Sequence, residues 1–129
     1  LAKPKQLALQ QLSGEDRVDF TGFPIVLASG VSTAIPIDGV ECGHRPKKSF
    51  SIECNGALDI YFQGRIGTTG NWCTVKKKDS DNDLKYTIPA AGGSYLMECE
   101  APMDYIRVWI TNTAAADNTI SDANYKLGR

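Results

Sequence analysis

Phe50-Ser51-Ile52-Glu53-Cys54-Asn55-Gly56-Ala57-Leu58-Asp59-Ile60-Tyr61-Phe62-Gln63 is the stretch from which the fold is read. Phe50, Ile52 and Cys54 alternate with Ser51 and Glu53, and Leu58, Ile60 and Phe62 alternate with Asp59, Tyr61 and Gln63. In an extended chain successive side chains point to opposite faces, so each run has one apolar and one polar face. Asn55-Gly56 between the runs is the dipeptide favoured in type I′ turns, where both central residues need positive φ. The pattern therefore predicts a β-hairpin, with the two runs side by side in one sheet.

Outward from this stretch, a period of two holds from Val18 onward. Strands are expected at Trp72 to Val75, Leu84 to Ile88, Ser94 to Cys99, Tyr105 to Thr111 and Ile120 to Leu127, divided by Gly, Asn, Asp and Pro. Ile35-Pro36-Ile37 before Asp38-Gly39 reads as a strand end and a turn, at a sheet edge because proline offers no N–H to a ladder. No amphipathic helix of ordinary length is legible. The chain has 129 residues, 42% of them hydrophobic, enough for one domain burying roughly 65–70% of its unfolded surface. The expected fold is all-β: an antiparallel β-sandwich with jelly-roll or Greek-key connections over residues 18–129. Residues 1–17, with Lys3, Lys5, Leu7, Leu9 and Leu12 before the Ser13-Gly14 break, read as an extended N-terminal arm.

In Tyr105-Ile106-Arg107-Val108-Trp109-Ile110 the aliphatics Ile106, Val108 and Ile110 share one face, expected to point inward. Tyr105, Arg107 and Trp109 share the other. They form either a contact patch, since these residue types concentrate at interface hot spots, or a ladder stabilising its own sheet.

Charge and chemistry narrow the function. With 14 Lys+Arg against 15 Asp+Glu, the net charge of −1 gives no field for phosphate backbones, so nucleic acid is not an expected partner. The longest apolar run, Phe23 to Ala28, contains a proline and falls far short of the roughly 18–20 residues of a membrane span, so no membrane partner is expected. Gln10-Gln11 interrupts the run after Leu9 before a signal-peptide core forms. The single histidine, His44, lies in a loop-like stretch, and Leu27-Ala28-Ser29-Gly30 lacks the first glycine of a serine-hydrolase elbow. The glycines of Gly64 to Gly70 are spaced wrongly for a dinucleotide loop and lead into a strand. Asp79-Ser80-Asp81-Asn82-Asp83 begins like a calcium loop, but Leu84 and Ala90 stand where glycine and glutamate are needed, so it reads as a solvated hairpin tip. No enzyme activity, cofactor or metal is expected. Of the cysteines, Cys42-x-His44 is the only close metal-ligand pair. Cys54, Cys73 and Cys99 sit in or beside strands as small apolar core residues, with disulfides as the alternative.

Leu58-Asp59-Ile60-Tyr61-Phe62-Gln63-Gly64-Arg65, followed by Gly67-Thr68-Thr69-Gly70-Asn71-Trp72-Cys73-Thr74-Val75, resembles small β-sandwich structural proteins of tailed bacteriophages. Pro102-Met103-Asp104-Tyr105-Ile106-Arg107-Val108 and Thr111-Asn112-Thr113 resemble a later part of the same pattern, so the likeness covers about Phe50 to Leu127. The four cysteines and the long N-terminal lead lie outside that pattern. The resemblance implies a head decoration or cement protein on the virion's capsid surface, made in the host cytoplasm. Its implied partners are the major capsid protein and further copies of itself, as a trimer. Lys3, Lys5, Leu7, Leu9 and Leu12 would then anchor the arm, ordering as it binds. The alternative is a carbohydrate-binding or host-adhesion sandwich in which Trp72, Trp109 and Tyr105 stack on sugar rings. Against that role for Trp72, an indole following a tight turn is expected to plug the end of the core.

Overall fold

The computed structural model describes residues 16–43 and 45–128; the arm residues Lys3, Lys5, Leu7, Leu9 and Leu12, and His44, lie outside them. Among the described residues ten strands are formed: β1 (Asp16–Asp19), β2 (Ile25–Leu27), β3 (Ser32–Glu41), β4 (Lys47–Cys54), β5 (Leu58–Arg65), β6 (Cys73–Thr74), β7 (Lys85–Ile88), β8 (Gly93–Cys99), β9 (Tyr105–Asn112) and β10 (Asn118–Gly128). β1 thus begins at Asp16, two residues inside the stretch read as arm. Two five-stranded antiparallel sheets pack face to face. One runs β1-β10-β4-β8, with β2 also on β10; the other runs β3-β9-β5-β6, with β7 also on β5. From β2 to β5, and again from β7 to β10, each strand hands the chain to the opposite sheet, which is jelly-roll order.

That order overturns the hairpin expected at Asn55-Gly56. β4 pairs with β10 and β8, whereas β5 pairs with β9, β6 and β7. Neither Asn55 nor Gly56 has positive φ. The segment is an arch between sheets, and its polar groups are met by the start of β10. Asn55 Oδ1 accepts from the Thr119 N–H at 2.8 Å, the Asn55 N–H donates to the Thr119 carbonyl at 3.2 Å, and Asn118 Nδ2 donates to the Ala57 carbonyl at 3.0 Å. A side chain on Gly56 would sit 2.9 Å from Asn118 Nδ2, so the glycine serves close packing here instead of a turn.

The alternation itself holds in the structure. Phe50, Ile52 and Cys54 from one sheet and Leu58, Ile60 and Phe62 from the other are buried, as are Ile106, Val108 and Ile110. Each aliphatic or aromatic side chain so buried contributes about 1.5–3 kcal/mol. Pro36 does lie on an edge strand, because among the described residues β3 pairs only with β9, but Asp38-Gly39 does not end the strand. It sits in an irregularity between Ile35 and Val40, with Gly39 at φ 76°, after which pairing to β9 resumes. The acidic stretch is a hairpin tip: Lys76 bridges Asp83 across an antiparallel pair, and the Lys77 N–H donates to the Asn82 carbonyl.

Among the cysteines, Cys42, Cys54 and Cys99 are buried and Cys73 is exposed, all as free thiols. Cys73 is therefore not a core residue; it belongs to a two-residue strand paired with β5. Burial pushes the Cys42 thiol from 9.0 to about 11 and raises those of Cys54 and Cys99. At pH 8, therefore, one thiol of the native protein is expected to react rapidly with a thiol reagent, against all four after unfolding; a second fast thiol would contradict this. Cys42 stays protonated in the folded chain where the unfolded chain ionises, so its contribution to stability is complete below pH 9.0 and is lost as pH rises toward about 11.

Candidate functional site

The central strand β9 turns Tyr105, Arg107 and Trp109 away from the core, and register with β5 decides what stands beside them. Arg65 lies opposite Tyr105, Gln63 opposite Arg107 and Tyr61 opposite Trp109. The long loop after β5 returns Trp72 onto the same face. Its indole meets the bulge in β3, where a side chain on Gly39 would overlap the ring at Cη2 and Cζ2. A glycine with positive φ thus both bends the edge strand and clears the seat of Trp72. Trp72 is half-buried against this outer face and is not among the core residues, which corrects the expectation that it plugs the end of the core.

Rings and guanidinium groups alternate along the face. Arg65 lies 4.8 Å from the ring centre of Tyr105 and 4.8 Å from that of Trp72. Arg107 lies 4.4 Å from Trp72 and 5.7 Å from Trp109. These are cation–π distances, each worth about 0.5–1 kcal/mol at an exposed site. Arg107 is further held by donating from Nε to Gln63 Oε1 at 2.7 Å and from a terminal nitrogen to the Ile37 carbonyl at 2.9 Å. Burial, and then the Arg65 charge, push Arg107 below the ordinary arginine range, with Asp38 opposing. Arg65 Nε is buried without a hydrogen-bond partner among the described residues. The face is therefore both a ladder that braces its own sheet and a preorganised row of half-exposed rings and cations.

Tyr105, Arg107 and Trp109 stand together as the period of β9 requires, and Trp72 joins them. The sequence alone does not single out Arg65, Gln63 and Tyr61 as site residues. Their alternation with Leu58, Ile60 and Phe62 does show which face they occupy, but the partner of that face depends on the β5–β9 pairing. Two other hollows, of about 200 and 340 Å3, lie on the outer face of the opposite sheet around Leu96. Neither brings two aromatic rings together.

No protein-family model matches the chain, and no curated protein sequence matches it. Among solved structures, the chain is similar to an endo-1,4-β-D-xylanase from Clostridium thermocellum comprising CBM22-1 and GH10 modules, complexed with xylohexaose. The TM-score is 0.51 at 10% identity, covering 88% of this chain and 26% of that one, so this chain spans about a quarter of the xylanase chain. It is also similar to the CBM22-1 xylan-binding domain of a Paenibacillus barcinonensis xylanase, with TM-score 0.47 and 9% identity over 90% of this chain and 83% of that one. A third similar structure is the enzymatically active domain of tailspike protein 4 from bacteriophage CBA120, with TM-score 0.49 and 13% identity over 90% and 20%. At these identities the likeness is one of fold: an all-β, two-sheet sandwich.

Proposed function

We propose that this protein is a non-catalytic carbohydrate-binding module that engages glycans through the outer face of β3, β9 and β5. The observation that carries this reading is the row Tyr105–Arg65–Trp72–Arg107–Trp109, in which half-exposed rings are fixed in place by arginines on a rigid sheet. Sugar rings present C–H faces that pack on aromatic rings and hydroxyls that accept from guanidinium N–H groups. Holding both partner types on strands limits the entropy lost on binding.

Trp109→Ala is expected to lower affinity for a glycan identified on an array by at least tenfold, about 1.4 kcal/mol, while the protein still folds, with a lowered melting temperature from the lost contact with Arg107. Unchanged binding by that variant, or no glycan bound by the native chain, would overturn the reading. Decoration of a phage capsid rests on the resemblance described above and on the arm, of which only Asp16 and Arg17 lie within the described residues. Failure on the array together with co-sedimentation with capsids would favour decoration instead.

A further inference from the structure

Resting on the carbohydrate-binding reading, we infer that the preferred glycans are acidic and carry uronate carboxylates, which the Arg65–Arg107 pair receives beside Trp72. Both guanidinium groups lie within 5 Å of the same indole, at 4.8 and 4.4 Å from its centre. Neither makes an ion pair with a carboxylate among the described residues: Asp59, which shares their face beyond Tyr61, pairs with Lys85, and Asp83 pairs with Lys76. Arg107 is anchored by neutral oxygens alone, those of Gln63 and the Ile37 carbonyl. Two like charges converging on one ring without a counter-ion repel each other, and the lowered pKa of Arg107 reflects that repulsion in part. Asp38 offsets the charge at a distance without bonding to either guanidinium.

An incoming carboxylate would relieve the repulsion and accept charge-assisted hydrogen bonds from planar donors suited to bidentate contact. A neutral sugar could use the rings but would leave the repulsion in place. The chemistry also distinguishes this face from a generic basic patch. The whole chain carries a net charge of −1, so attraction to a polyanion must come from this local pair and not from an overall field.

The test compares the full chain on an array of uronate-bearing glycans, the same glycans after carboxyl reduction to neutral sugars, and sulfated dextran. Uronate glycans are expected to bind, to lose at least tenfold in affinity on carboxyl reduction, and to bind more tightly than sulfated dextran. Arg65→Gln, which leaves the Gln63 and Ile37 anchors of Arg107 in place, should lower uronate binding at least tenfold and bring it to the level of the reduced glycans. Arg107→Lys, which keeps the charge but not the planar fork, should lower it by a smaller factor. Equal binding of acidic and reduced glycans would overturn this inference while leaving carbohydrate binding intact. Equal or tighter binding of sulfated dextran would overturn it as non-specific polyanion attraction, and absence of binding to any glycan would remove both readings.

Discussion

Tyr125→Ala is expected to cost about 3–5 kcal/mol, the range for truncating a large buried aromatic residue. Tyr125 stands on β10 in the centre of its sheet and is 1% exposed. Its ring meets Phe50 at 4.9 Å and the edge of Phe20 at 5.5 Å. Its hydroxyl donates to the Ile35 carbonyl at 2.6 Å. That carbonyl belongs to the other sheet, next to the irregularity in β3, so one side chain fills the core and also ties the two sheets where a ladder bond is lost. Burial raises the phenol well above its ordinary pKa, which favours the neutral, donating form. Tyr125→Phe separates the two contributions: it keeps the ring and orphans the carbonyl, at an expected cost of about 1–3 kcal/mol. Urea denaturation of both variants measures this. A Tyr125→Phe protein as stable as the native one would show that the cross-sheet bond contributes nothing, and a loss under about 2 kcal/mol for alanine would show that the site collapses around the gap.

Asn112→Asp is the second substitution with a large expected effect, about 3–5 kcal/mol at pH 7, although it changes the shape of the side chain very little. Asn112 ends β9 and is fully buried. Its Nδ2 donates to the Leu27 carbonyl at 2.8 Å and the Ala116 carbonyl at 2.9 Å, and its Oδ1 accepts from the Ala114 N–H at 2.9 Å. One amide thereby closes the loop from β9 to β10 and fastens it to β2. A carboxylate can accept but not donate, so it would place a charge against two carbonyl oxygens in a site closed to water. Protonation restores one donor. The introduced aspartate's folded pKa is therefore raised, and the penalty should shrink as pH falls from 7 toward 4.5. Equal midpoints for the variant and the native protein at pH 7 would mean that the loop opens to solvent instead of holding the charge buried.

The faces of the strands are legible in the sequence, and their neighbours much less so. Alternation in Leu58 to Gln63 and in Tyr105 to Ile110 identified the inward residues, because a period of two depends only on the local backbone. It also placed Tyr105, Arg107 and Trp109 on the outer face. Asn55-Gly56 misled because a turn dipeptide states a local preference, whereas in the jelly roll Asn55 is fixed by Thr119, more than sixty residues away. The same long-range contacts hid Arg65 and Gln63 from the site, and the seat of Trp72 required a bulge in β3 that brings Gly39 beneath the indole.

The sequence by itself therefore determined the all-β class, the inward face of the main strands and the aromatic–arginine composition of β9, all of which follow from side-chain period and residue type. Tertiary structure alone decided that Asn55-Gly56 crosses between sheets, that β5 lies beside β9, and that Arg65, Trp72 and Arg107 meet on one surface. Strand pairing in a sandwich is settled by contacts between residues far apart in the chain, whose free energies emerge only when both sheets close on the shared core.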